Sequence, residues 1–326
     1  MRSDVSTNAF YRLRQTSLGR AVLSGASFLR SPREARYRRQ VAREFTARVS
    51  AVPVDARKGY ALVQPADLAG FEAIRPLCLK LFETKRVKIE REFAEMASGT
   101  SDEQAKFRAA KRKFLRNLFS NDDLRRNPEL VDFALSDAAL GAAAKYLGTI
   151  PYLNRVDLLY SIPRDGHDQI ASQLFHVDPE GLSQVKFFIN VCPVGEPEGP
   201  FTFIPADDTE RILRAIRRLR QQRRSPQVGR YLDEEIEAVG GTGAIIKVSG
   251  GVGSGIAVDT SRCLHMGSRV APGAFRLCLY LQYCTSLEQG NVFDLKRFKK
   301  DRVRYLAVAH SVRSEGTEVR APHDAS

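Results

Sequence analysis

His176 and Asp178 stand two residues apart in the segment Ser172–Asp178, which reads as a strand. Residues i and i+2 of a strand point to the same face, so the two side chains can share one ligand. An imidazole nitrogen and a carboxylate oxygen are two parts of a facial site of two histidines and one carboxylate. Such a site leaves positions open on iron(II) for a cosubstrate and O2. The pair alone is also what an ordinary His–Asp hydrogen bond at a strand edge would look like. His265, 89 residues downstream at the start of a turn, can complete a triad if the strands meet across a barrel. Arg276 follows eleven residues later, inside the apolar run Phe275–Tyr283 that reads as a buried strand. A buried guanidinium is costly unless an anion meets it. Its fork suits a structural carboxylate or a free one, such as the distal end of 2-oxoglutarate.

The strand between the two histidine clusters alternates. Val185, Phe187, Ile189 and Val191 share one face, while Lys186, Phe188 and Asn190 share the other. If the apolar face packs outward, Lys186, Phe188 and Asn190 line the barrel interior, where a cation and an amide can touch a dicarboxylate. A solvent-facing Lys186 fits the same pattern.

The elements that must position these groups fall into two halves. Apolar residues at three- and four-residue spacing (Leu68, Phe71, Ile74, Leu77, Leu81, then Phe107, Phe114, Leu118) predict helices from about 67 to 148. From Tyr152 onward short strands are expected at 155–161, 173–177, 184–192, 201–204, 244–248, 255–258 and 275–283, the pattern of a sandwich or jelly roll. One helical insertion, about 207–238, interrupts them. Ile212, Leu213, Ile216 and Leu219 form its apolar stripe, and Arg211, Arg214, Arg217, Arg218, Arg220, Arg223 and Arg224 its other face.

The chain of 326 residues carries a net charge of +13, which favours acidic partners without deciding the fold. Much of that charge lies in residues 1–50, where eleven arginines face Asp4, Glu34 and Glu44, a net of +8. That arm reads as a basic, arginine-rich extension. It could contact an anionic membrane or another acidic partner peripherally, serve as an organellar presequence, or simply be solvated. Residues 51–310 are assigned to the catalytic-sized domain and 311–326 to a tail. The five cysteines lack any CxxC pairing, which suits reduced thiols and a cytoplasmic location. Cys263 is expected to be a packed thiol rather than a metal ligand. No apolar stretch approaches the roughly 20 residues of a membrane-spanning helix.

Taken together, Gln173, His176 and Asp178, then Gly199–Pro205, then Leu264, His265, Gly267 and Ser268, and finally Arg276 resemble the phytanoyl-CoA dioxygenase family over roughly residues 150–286. The resemblance implies an α+β fold with a double-stranded β-helix (jelly-roll) core in the C-terminal half and a mainly helical N-terminal half packed on it. It implies iron(II) held by His176, Asp178 and His265, and 2-oxoglutarate anchored by Arg276, with Gln173, Lys186 and Phe188 lining the cosubstrate and substrate side. The chemistry implied is a dioxygenase reaction with O2, hydroxylating a C–H bond of a small organic substrate and releasing succinate and CO2; separately, the surface arginines suit an anionic substrate, and the solubility of their helix explains them equally well. With Asp178 as a ligand, no coordination place is vacated for halide, unlike in the related halogenases. After Pro205 the chain departs from the family pattern, reading Ala206-Asp207-Asp208 before the arginine-rich helix, and its last residues, His323-Asp324-Ala325-Ser326, do not read as a peroxisomal tripeptide. Phytanoyl-CoA is therefore not carried over as substrate. Two rivals are a nucleic-acid demethylase, against which the lack of an aromatic stacking platform counts, and a membrane-surface scaffold with a vestigial barrel.

Overall fold

A computed structural model describes residues 31–95, 114–163, 171–178, 183–223, 229–286 and 290–309, together with Gly19. Along the chain these form α1 (Pro32–Thr46), β1 (Tyr60–Val63), α2 (Phe71–Glu95), β2 (Leu115–Asn117), α3 (Asn121–Arg126), α4 (Glu129–Ala134) and α5 (Asp137–Leu147). They continue with β3 (Tyr152–Ser161), β4 (Gln184–Asn190), β5 (Phe201–Ile204), α6 (Ala206–Arg223), α7 (Asp233–Ala238), β6 (Ile246–Val248), β7 (Gly255–Val258), β8 (Leu264–Met266), β9 (Arg276–Cys284) and α8 (Arg302–Val308).

Period-two alternation sorts the strands into two antiparallel sheets. The larger runs β1-β7-β4-β9-β3-β2 and the smaller β6-β5-β8. His176 adds a bridge to His265 on the free edge of β8, so the smaller sheet gains a fourth edge there. From β3 onward the chain crosses repeatedly between the sheets, the winding of a jelly roll. Phe188 of the larger sheet stacks on Phe201 of the smaller at 4.6 Å between ring centroids, so the two sheets face each other.

The outer face of the larger sheet is apolar: Val185, Phe187, Ile189, Leu277, Leu279, Leu281, Tyr283, Leu153, Val156 and Leu158 are all fully buried. They belong to one core with residues of α1, α2, α4, α5 and α8. For β4 alone, burying two aliphatic residues and one phenylalanine on this side stabilises by roughly 5–9 kcal/mol. A one-residue slip would lose that and push Lys186 into the core, so the strand's orientation is settled by its pattern. α5 is capped at Ser136, whose hydroxyl accepts from the Ala139 N–H, and it stops at Gly148, whose φ of 65° is left-handed. The outer face of the smaller sheet is covered by α6 and α7, through Ile212, Leu213, Ile216 and Ile236 against Phe175, Ile204 and Leu264.

Several elements depart from the sequence reading. Residues 115–117, expected as helix, pair with β3 as β2. Phe114 and Leu118 have helical spacing, but the exposed edge of β3 recruits the segment between them, a tertiary pairing that overrides local pattern. β1, not anticipated, pairs with β7 on the opposite edge. The expected strand at 173–177 is a 3-10 turn at Ala171–Gln173 followed by bridged residues at 175 and 176, and that at 244–248 begins only at Ile246. Residues 32–46, grouped with the basic extension by composition, form α1, which buries Val41, Ala42 and Phe45 in the main core. Its Arg38 is buried too, donating to the carbonyls of Ile150 and Leu306 at 3.0 Å each and lying 3.9 Å over the Tyr152 ring. Arg220, placed with the solvated arginines, is instead buried against Glu235 at 2.6 Å and stacked on Tyr231. Residues 1–18, Phe107, the basic run 106–113, Arg224 and the tail 311–326 lie outside the described residues. Among the described residues no helix is long and apolar enough to cross a membrane.

Candidate metal centre and its cavity

Two reciprocal backbone bonds place the histidines opposite one another: His176 N–H donates to the His265 carbonyl at 2.8 Å, and His265 N–H to the His176 carbonyl at 2.9 Å. Both imidazoles leave the same face of the sheet, with ring centroids 4.4 Å apart. Asp178, two residues on, is tied back by its N–H to the Thr260 carbonyl at 2.8 Å. Its Oδ1 lies 3.6 Å from His176 Nε2 and its Oδ2 lies 3.5 Å from His265 Nε2. One donor atom from each of the three residues falls within 4.8 Å of the others.

The protonation pattern suits a metal. His176 Nδ1 faces the Leu174 carbonyl at 2.9 Å and His265 Nδ1 the Cys263 carbonyl at 3.0 Å. A carbonyl can only accept, so each Nδ1 carries the proton and each Nε2 lone pair points at Asp178. Burial lowers the pKa of both histidines below the usual imidazole value, reinforced for His176 by His265, so both are neutral at pH 7. Burial alone would raise the Asp178 carboxyl. The Lys186 ammonium, 2.6 Å from Oδ2, together with the two imidazoles holds it well below the usual carboxylate range. Two neutral nitrogens and one ionised oxygen are a donor set for a divalent transition metal, whose bonds of about 2.1 Å put adjacent donors about 3 Å apart. The two carboxylate–imidazole separations, 3.6 and 3.5 Å, need only a small contraction to reach that.

The triad opens on a cavity of about 430 Å³ between the sheets. Arg276, also buried, lines it. Its Nη1 donates to Ser268 Oγ at 2.8 Å, Nη2 reaches only the Cys278 sulfur at 3.9 Å, and Nε has no partner. Among the described residues no carboxylate pairs with this guanidinium. Lys186 and Phe188 line the same cavity, and the Phe188 ring packs between Phe201 and Tyr280. Gln173 is not in the lining; its carbonyl is clamped by Arg269 at 2.8 Å and its neighbour Ser172 faces the cavity instead, with a hydroxyl that has no partner. Asn190 bonds to Ser254 and lies away from the cavity. Cys263 is buried outside the metal cluster, its thiol directed at the Lys58 carbonyl at 3.4 Å.

Further polar groups of the lining escaped sequence reading: Asn117, Asn154, Arg155, Ser161 and Gln282. A signal was present for one of them. In the apolar run of β9, Arg276, Tyr280 and Gln282 share the minority face by period two, so finding Arg276 there also marks Gln282.

The fold is similar to several solved structures. Among them are EctD from S. alaskensis with 2-oxoglutarate and 5-hydroxyectoine (14% identity, TM-score 0.43, covering 72% of this chain and 76% of that one) and AviO1 from Streptomyces viridochromogenes Tue57 (16%, 0.39, 70% and 90%). A third is the non-heme alpha ketoglutarate dependent carbocyclase SnoK from nogalamycin biosynthesis (15%, 0.40, 75% and 88%). No family model and no curated protein sequence matches the chain. At such low identity and TM-score these likenesses assign no activity, and the chemistry of the site is read from its own geometry.

Proposed function

We propose that this protein is an iron(II)- and 2-oxoglutarate-dependent oxygenase that hydroxylates a C–H bond of a small organic substrate. The observation that carries the reading is the pairing, in one cavity, of a buried His176–Asp178–His265 cluster with a buried Arg276 that no carboxylate among the described residues neutralises. A structural guanidinium would have its counter-ion from the protein, since an unpaired buried charge is expensive. Here the described residues supply no such counter-ion, and the anion is assigned to a ligand beside a cluster suited to a metal.

His176, Asp178 and His265 would hold the iron, and the Leu174 and Cys263 carbonyls keep both imidazoles in the tautomer that presents Nε2. Lys186 fixes the orientation of the Asp178 carboxylate and compensates its charge while buried. Arg276 would take the far carboxylate of 2-oxoglutarate. Ser268, whose oxygen already accepts from Arg276, keeps its own hydroxyl proton to donate to the same carboxylate. Phe188, Phe201 and Tyr280 wall one flank against water. Iron, 2-oxoglutarate and O2 together supply an oxidant able to break a C–H bond, with succinate and CO2 released. The retained carboxylate ligand is what favours hydroxylation over halogenation.

The test is calorimetric titration of the full chain with iron(II) and then 2-oxoglutarate under anaerobic conditions. Stoichiometric iron uptake, metal-dependent 2-oxoglutarate binding, and loss of both in Asp178→Ala support the reading. An Asp178→Ala protein that binds iron like the wild type would refute it.

A further inference from the structure

The cavity holds a second guanidinium for which the proposed cosubstrate has no use. Arg155 lies on β3, on the inner face of the larger sheet, and lines the cavity half-buried. Among the described residues it has neither an ion pair nor a hydrogen bond. Asp157, two residues on along the same strand, attracts it through space, but that carboxylate is engaged by the backbone N–H groups of Phe119 and Leu158 at 3.0 and 2.8 Å.

Register fixes where Arg155 stands relative to the rest of the site. It is opposite Gln282 on β9, which is opposite Lys186 on β4, whereas Arg276 is opposite Ser161 at the other end of β3. The two arginines are thus separated by about 20 Å of strand. Lys186, and the metal cluster it touches, lie on Arg155's own row, about 10 Å across the sheet. A dicarboxylate anchored at Arg276 leaves the Arg155 end of the cavity free.

Charge points the same way. The lining contains Arg155, Lys186 and Arg276 against a single ionised carboxylate, Asp178. A divalent metal with a dianionic cosubstrate is neutral as a pair and leaves that positive excess in place. The surroundings of Arg155 are mixed: Leu115 and Leu159 supply apolar surface at the cavity wall, while Asn154 donates to Gln282 at 3.0 Å and its own Oδ1 has no donor.

We propose that Arg155, flanked by Asn154 and Gln282, is the subsite for an anionic group of the substrate, a carboxylate or a phosphate on an organic body that packs on Leu115 and Leu159. This rests on the oxygenase reading for the identity of the substrate, though the anion subsite can be tested apart from it.

The full chain, kept anaerobic with iron(II) and saturating 2-oxoglutarate so that Arg276 is occupied, is titrated calorimetrically with benzoate, phenyl phosphate and the neutral benzyl alcohol. The same titrations are run without metal or cosubstrate. The better of the two anions should bind about tenfold tighter than the alcohol, the order of one charge-assisted hydrogen bond in a partly buried site. Arg155→Gln should abolish that preference and Arg155→Lys retain part of it, with 2-oxoglutarate affinity unchanged in both. Among the described residues Arg155 has no ion pair or hydrogen bond, only a through-space attraction to Asp157, so Arg155→Lys should keep the wild-type stability and Arg155→Gln lose little of it, which a melting curve checks. Which anion binds better tells carboxylate from phosphate. A wild-type protein without anion preference, or a preference that survives in Arg155→Gln, overturns the proposal. A chain that takes up no 2-oxoglutarate yet prefers the anions through Arg155 keeps the subsite and discards the oxygenase reading.

Discussion

Replacing Arg276 with glutamine separates a ligand-binding guanidinium from a structural one. The guanidinium is buried, its one strong bond goes to the neutral Ser268 hydroxyl, and its Nε has no partner at all. Removing it strands no carboxylate among the described residues. The penalty of 3–5 kcal/mol that usually follows the breaking of a buried ion pair should therefore be absent, and the folded state should lose at most about 1 kcal/mol, or gain. Binding of 2-oxoglutarate should suffer far more. Two charge-assisted bonds to a carboxylate contribute about 3 kcal/mol together, which is a rise in Kd of roughly 100-fold. The assay is anaerobic calorimetry with iron(II) present, beside urea denaturation of the same preparations. The reasoning is refuted if Arg276→Gln binds 2-oxoglutarate like the wild type, or if it unfolds several kcal/mol more easily, since either result would make the arginine part of the scaffold.

Two further predictions concern stability. Burial pushes the Asp157 carboxyl up to about 6 despite its two backbone N–H donors, so ionising it opposes folding. The folded state binds the extra proton between about pH 4 and 6, and wild-type stability therefore falls as pH rises through that window. Asp157→Asn keeps an acceptor for the same donors and should be more stable than the wild type by about 2–3 kcal/mol at pH 7.5, an advantage that vanishes below pH 4; denaturation at the two pH values reads it directly. Arg220 pairs with Glu235 in a nearly closed contact between α6 and α7 and also donates to the Arg230 carbonyl. Arg220→Ala should cost about 3 kcal/mol, while Arg218→Ala, on the exposed face of the same helix, should change stability by less than about 0.5 kcal/mol in the same urea series.

The candidate metal cluster was legible because its residues are rare types, two of them held at a short interval by strand geometry. His176 and Asp178 need only the two-residue repeat to share a face, and the alternation through Val185–Val191 tells which side of β4 looks inward. Arg276 stands out because a charge inside Phe275–Tyr283 has to be explained. His265 is different. Its pairing with His176 is a contact across 89 residues, and no local rule predicts that the two backbones exchange hydrogen bonds. What sequence reading misses are elements whose state is decided by a distant neighbour. β2 is three residues recruited to an open sheet edge, and Arg38 and Arg220 sit on arginine-rich helices where nothing local separates a buried guanidinium from its solvated neighbours. Arg155 escaped for a related reason: one arginine at the start of a mixed strand is unremarked until register sets it on the row of Gln282 and Lys186.

The central claim can be met head-on by a crystal grown anaerobically with iron(II) and 2-oxoglutarate and measured at the iron absorption edge. The account predicts one anomalous peak bonded to His176 Nε2, His265 Nε2 and an Asp178 oxygen, with the far carboxylate of the cosubstrate on Arg276 and Ser268. An iron peak anywhere else, or a cosubstrate carboxylate away from Arg276, would contradict it.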